Sequence, residues 1–76
     1  MLTAMIGEKI AECFQTRKQG EIYRAVIDDT ERILIEKALE QTCGNQIVAA
    51  KILGLNRNTI RTKIRRLNIN TGRFKA

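Results

Sequence analysis

Arg57, Asn58, Arg61, Thr62 and Arg65 stand within nine residues of one another, in a run with no acidic side chain. If the run is helical, each residue advances about 100°. With Ile60 at zero, Ile64 falls at about 40° and Leu67 at about 340°, which defines an inner face. Asn58, Arg61, Thr62 and Arg65 then fall between about 100° and about 200°, on the outer face, and Arg57 stands at the N-terminal tip. Thr59 and Arg66 lie on a flank, and Lys63 lies close to the buried edge. These types suit one kind of chemistry. Arginine offers a planar fork to guanine O6 and N7, asparagine pairs bidentately with adenine, and threonine touches a thymine methyl or a phosphate. A face serving only solvation would mix in glutamate for i,i+4 pairs. The expected base-reading set is therefore Arg57, Asn58, Arg61, Thr62 and Arg65.

Such a face needs elements to aim it. Asn56 is a good N-cap for a helix from Arg57 to about Leu67, with Ile60, Ile64 and Leu67 buried. Before it, Asn45 caps a short helix, Gln46 to Leu53, with Ile47, Ala50 and Leu53 expected to face inward. Small Ala49 and Ala50 let another helix cross closely. Gly54 allows a tight turn and Leu55 plugs it. The spacing Ala50-x3-Gly54-Leu55-x4-Ile60-x3-Ile64 is that of a helix-turn-helix.

The longest periodic segment runs from Glu21 to Thr42. Tyr23, Val26/Ile27, Thr30, Ile33/Leu34, Ala38 and Gln41 form its stripe, widened by Ile22, Ile35 and Leu39. An arc this wide exceeds what a short helix-turn-helix covers. One edge should pack on the chain's own helices and the other on a second copy, through Tyr23, Val26, Ile27 and Leu34. The competing arrangement is a monomer covered by its own first helix. Cys43-Gly44 should end the segment, with Gly44 in the left-handed position. A first helix is expected from Met1 to about Arg17, with Thr3 as its cap and Gly20 in the turn after it. Residues after Asn70 should form a short, frayed basic tail.

The totals bound the rest. A chain of 76 residues makes one small, marginally stable domain, for which oligomerisation is a common remedy. The formal net charge of +6 is unevenly spread. Residues 1–42 carry six Lys/Arg and eight Asp/Glu, whereas residues 43–76 carry eight Lys/Arg and no acid. A basic surface at one end faces a polyanion. The bland alternatives are a solvated basic face or a dock for an acidic protein. Cys13 and Cys43 have no ligand partner near them, there is no histidine, and Asp28 and Asp29 adjoin on an exposed helix face. No metal, cofactor or small-molecule substrate is expected, and no enzyme. Neither a membrane span nor a signal peptide is visible, which points to the cytoplasm.

The stretch GNQIVAAKILGLNRNTIRTKIRRLNIN, with IYRAVIDDTERILIEKALEQT before it, resembles the Fis family and the Fis-like domain that ends NtrC-type, sigma-54-dependent activators. The resemblance covers about Ile22 to Asn70. It rests on the G-N-Q junction, the A-A-x-x-L-G turn and the N-R-x-T-[IL]-R helix start. It implies an all-α, four-helix subunit that dimerises through its first two helices and reads a pseudo-palindromic site on bent duplex DNA. By position it implies that Arg57 and Arg61 are the principal groove-contacting arginines. It likewise sets Asn45, Gln46, Asn56 and Thr59 near phosphates, and we add Lys63 and Arg66 to that set. Thr62 and Asn58 stand where Fis has lysine and glycine, which favours a different site.

The expected layout is thus an N-terminal helix and turn over residues 1–20, a dimerisation helix plus helix-turn-helix over 21–70, and a tail over 71–76. No phosphate-binding loop of the G-x-x-x-x-G-K-[ST] type occurs, so the chain cannot hydrolyse ATP by that route; at 76 residues, shorter than Fis, an excised C-terminal domain is favoured over a free-standing protein. The expected function is sequence-specific binding of double-stranded DNA as a homodimer, within a bacterial transcriptional regulator. Its rivals are an architectural DNA-bending protein with little sequence preference and a protein oligomerisation module.

Overall fold

The computed structural model describes residues 2–75. Four helices follow one another: α1, Leu2–Thr16; α2, Ile22–Gln41; α3, Gln46–Leu53; and α4, Arg57–Arg66. A 3-10 turn, Thr71–Phe74, closes the described chain. The expected all-α class with four helices is what forms, and the helix limits differ from expectation by at most a residue or two. Thr3 is a correction: it lies inside α1 and does not cap it. No described helix is long and apolar enough to cross a membrane.

The chain groups into two compact units that divide between Thr30 and Glu31, within α2. The first unit holds α1, a turn and the first part of α2. Gly20 takes φ +92° there, and the Glu21 amide donates to the Lys18 carbonyl at 3.0 Å. Ile10, Cys13, Ile22, Ala25 and Val26 are half-buried, whereas Met5, Phe14 and Tyr23 are exposed.

The second unit carries the core. Ile35, Ala38 and Leu39 of α2 meet Ala49 and Ala50 of α3, Ile60 and Ile64 of α4, and Leu67 and Ile69 beyond it. Leu53, Leu55 and Phe74 pack against this cluster from its margin. Leu55 thus fills the turn as expected. On α2, Ile35, Ala38 and Leu39 form the edge that packs on the chain's own helices, whereas Ile33 and Leu34 are exposed. One expected inward face is rotated. On α3, Ile47 is 51% exposed, and the inner face is Ala49, Ala50 and Leu53. With Ile47 at zero, Ala49, Leu53 and Ala50 fall at about 200°, 240° and 300°, so a face centred on Leu53 leaves Ile47 beyond its edge. Fully buried Ala49 brings the inner face round.

Each helix of this unit ends in a left-handed residue that turns the chain sharply. After α3, Gly54 takes φ +75°; its amide donates to the Lys51 carbonyl at 3.2 Å, and that of Leu55 to Ala50 at 2.8 Å. This paired pattern satisfies carbonyls that the helix end leaves open. After α4, Asn68 has φ +56°, and the Ile69 amide reaches the Ile64 carbonyl at 3.0 Å. After α2 the left-handed residue that follows the helix is Cys43, at φ +52°, with Gly44 next at +85°. The sequence points to Gly44 alone in that role. Gly44 also supplies space, since a Cβ on it would come within 3.0 Å of Lys75 Cγ and 3.4 Å of the Thr71 carbonyl oxygen.

That contact belongs to the largest correction, the tail. Residues 71–74 form a turn capped by Asn70, whose Oδ1 accepts from the Gly72 amide at 3.1 Å. Phe74 packs on the core, Arg73 lies over its ring at 4.6 Å, and Arg73 pairs with Glu36 of α2 at 3.4 Å. An aromatic ring with apolar surface to cover and a cation with an acid in reach tie down what composition suggested would fray.

Candidate nucleic-acid interface

The two interhelical junctions that aim α3 and α4 are built by asparagines. Asn45 and Asn56 have extended backbone and cap the two helices. Asn45 Oδ1 accepts from the Val48 amide at 3.1 Å, and Asn56 Oδ1 from the Asn58 amide at 2.8 Å. Each oxygen is thereby turned into its helix, which leaves the side-chain NH2 as an outward donor. Both residues are exposed.

On α4 the outer face emerges as the spacing requires. Ile60 is fully buried and Ile64 and Leu67 nearly so. Arg57, Asn58, Thr59, Arg61, Thr62 and Arg65 are all exposed. Arg57, Arg61 and Arg65 follow at i, i+4 and i+8 and so share one row along the helix. Asn58 and Thr62 make the next row. Thr62 Oγ1 donates to the Asn58 carbonyl at 2.9 Å. Gln46, at the start of α3, is half-buried. Of the expected site residues, these therefore share the exposed α4 surface or the helix N-termini beside it.

Lys63 and Arg66 behave differently. Both lean from α4 onto Glu31 of α2. The Lys63 ammonium donates to Glu31 Oε2, and Arg66 Nη2 donates to Oε1 at 2.9 Å. The Lys63 and Glu31 side chains are about three-quarters buried, whereas that of Arg66 is nearly half exposed. Asn58, Thr59 and Thr62 share with these two cations a shallow, open depression along the flank of the helix. On the other side, Arg32 donates from Nη2 to the Leu67 carbonyl, closing the C-terminal end of α4.

Sequence reasoning missed Glu31, Arg32 and Glu36, because charged residues of α2 were not sought on its inner face. A signal was present. With Ile35 at zero on α2, Leu39 falls at about 40° and Ala38 at about 300°. Glu31 falls at about 320° and Arg32 at about 60° on the same wheel. Both therefore continue the buried stripe one turn towards the N-terminus, where inward charges need partners. Among the described residues no buried side-chain nitrogen or oxygen lacks one.

The tertiary pairs also redraw the charge map. Of the eight cations in residues 43–76, Lys63, Arg66 and Arg73 meet carboxylates of α2. The exposed arginine row of α4 is not drawn into those pairs. Among the described residues no cluster of His, Cys, Asp and Glu could hold a metal ion.

Comparison with known proteins covers the same region. A family model described as "Bacterial regulatory protein, Fis family" matches residues 26–67, from the first part of α2 to just past the end of α4. The DNA-binding transcriptional regulator NtrC of Azospirillum brasilense is 44% identical over 72 residues, covering 90% of this chain and 15% of that protein. NtrC of Rhizobium meliloti (strain 1021) is 52% identical over 52 residues, 68% of this chain and 11% of that protein. The DNA-binding protein Fis of Buchnera aphidicola is 39% identical over 51 residues, 67% of this chain and 52% of that protein. The chain thus spans a small fraction of the NtrC relatives and about half of the Fis relative. No solved structure matches it. With the matched segment covering more than half of its residues and coinciding with a helix-turn-helix of the expected build, the chain belongs to the Fis family of bacterial regulatory proteins.

Proposed function

We propose that the chain is the module with which a bacterial transcriptional regulator binds double-stranded DNA, as a homodimer and with sequence preference. The observation that carries this reading is the exposed face of α4, where Arg57, Arg61 and Arg65 form one row with Asn58 and Thr62 beside it and no acid among them. A helix of this width fits the major groove and reads bases near its N-terminal end. Arg57, Asn58, Arg61, Thr62 and Arg65 are the base-reading candidates. Asn45, Gln46, Asn56, Thr59, Lys63 and Arg66 are the phosphate candidates, the capping asparagines through their outward NH2 groups. The names of the NtrC and Fis relatives support DNA as the partner.

The homodimer rests on α2. Around Ile35, its core stripe runs from about 300° through zero to about 60°. Tyr23, Ile27 and Leu34 gather between about 240° and about 280°, with Val26 at about 180°. Tyr23, Ile27 and Leu34 are exposed in the single chain, at 79%, 39% and 54%. A second copy covering this second stripe would set two α4 helices a fixed distance apart, matching a pseudo-palindromic site. Such a protein acts where DNA is, in the bacterial cytoplasm.

Selection of bound sites from a random duplex library tests the reading. The expected result is an inverted repeat with one preferred half-site spacing. An affinity ratio near one between the best selected duplex and bulk DNA would replace it with an architectural role. Failure to bind any duplex at low salt would leave only an oligomerisation module.

A further inference from the structure

Glu31 stands on the inward stripe of α2 and faces two cations from adjacent turns of α4. Its Oε2 accepts from Lys63 and its Oε1 from Arg66, so both carboxylate oxygens are engaged from one helix flank. The two cations line the depression on that flank together with Asn58, Thr59 and Thr62. A phosphate approaching the flank would seek the same two donors with the same oxygen chemistry. Carboxylate and phosphate are therefore competitors, and the carboxylate is covalently tethered and already seated.

We propose that Glu31 acts as an internal counter-ion for the DNA-binding face: it occupies Lys63 and Arg66 and so holds down sequence-independent affinity for duplex DNA. This rests on the DNA-binding function proposed above. Sequence-independent affinity grows with the number of phosphates a protein neutralises, because each contact releases condensed counterions. Two cations held by a glutamate contribute little to that count until the pair is broken. The arginine row at 57, 61 and 65 is left to search and read, while the flank engages only in a complex close enough to displace Glu31.

The test is Glu31→Gln, which keeps the size and polarity of the side chain and removes its charge. Affinity for bulk duplex DNA is measured against salt concentration for the full chain and for the variant. The expected result is a log K against log salt slope steeper by about one to two units, and roughly tenfold or greater tightening in about 0.1 M salt. Glu40→Gln supplies the control for net charge, because Glu40 pairs with Lys37 on the exposed side of α2. An equal effect of Glu40→Gln, or an unchanged slope in Glu31→Gln, would overturn the proposal. A second measurement compares Arg66→Gln in the parent and in the Glu31→Gln background. The loss of slope should be clearly larger where Glu31 is absent, and equal losses would refute the competition. Should Glu31→Gln fail to fold by circular dichroism, Glu31→Asp replaces it, since the shorter arm loses reach to one of the two cations. A parent chain that binds no duplex would instead remove the DNA-binding function itself, which keeps the two failures apart.

Discussion

Arg61 stands one turn into α4 with its side chain exposed and Arg57 one turn before it. If it reads a base edge, Arg61→Ala should weaken binding to the selected site by about 1–3 kcal/mol and to random duplex far less. Fluorescence anisotropy on both duplexes decides this; equal losses would make Arg61 a phosphate contact. Two glycines allow a sharper test of stability at single residues. Both Gly44 and Gly54 have positive φ, which costs an alanine about 1–2 kcal/mol. Nothing lies within 4 Å of a Cβ at Gly54, whereas at Gly44 one would crowd Lys75 and Thr71. Gly44→Ala should therefore lower the urea midpoint more than Gly54→Ala. At this scale the sequence was legible where residue type dictates conformation: the caps at Asn45 and Asn56 and the turns at Gly44 and Gly54 stand where they were expected. The ion pairs of Glu31 and Glu36 were not legible, because they join residues more than thirty positions apart.

Among the elements, α4 was the easiest to place, since two buried isoleucines at i, i+4 and a polar or charged remainder leave a single possible inner face. On α3 the sequence offered Ile47, Val48, Ala49, Ala50, Ile52 and Leu53, apolar nearly all round; the small size of Ala49 and Ala50 pointed to a close helix crossing, but Ile47 was wrongly placed on the inner face. The alanines went inside because α4 crosses closely, and Ile47, Val48 and Ile52 stayed exposed. The last element, residues 71–74, was missed for a related reason. A six-residue basic segment has no periodicity, and its order comes from Phe74 reaching a core built by other helices. Phe74→Ala should accordingly destabilise the chain by about 1–2 kcal/mol, less than a fully buried phenylalanine because the ring stays partly exposed. Equilibrium urea unfolding measures it, and an unchanged midpoint would return these residues to a frayed tail.

For the whole molecule, the proposed homodimer raises the question of what would space its two α4 helices. The second apolar stripe of α2 is the proposed interface, and Leu34 lies on it without belonging to the core of its own chain. Leu34→Glu should thus leave helicity and the core intact while sedimentation shows single chains in place of dimers. Binding to a two-half-site duplex should then fall towards the affinity for one half-site. A variant that remains dimeric would move the interface elsewhere. The width of the apolar arc on α2 was visible in the sequence and led to the same partition. Which edge belonged inside was assigned only in part, since Leu34 and Ala38 were placed in one stripe with Ile33.

The sequence by itself determined what is local or periodic. It set four helices and their limits, the asparagine caps, the glycine turns, the outer face of α4 and the family. Each follows from backbone preference or from a repeat matched to the helical turn. The tertiary structure decided which of several apolar faces became core, which cations remain on the exposed row, and that residues 71–74 form a turn packed on the core. Those outcomes depend on contacts between residues far apart in sequence. A helix with apolar residues all round has no preferred side until a neighbour of definite size arrives. An arginine keeps its charge open to solvent until the fold brings a carboxylate beside it.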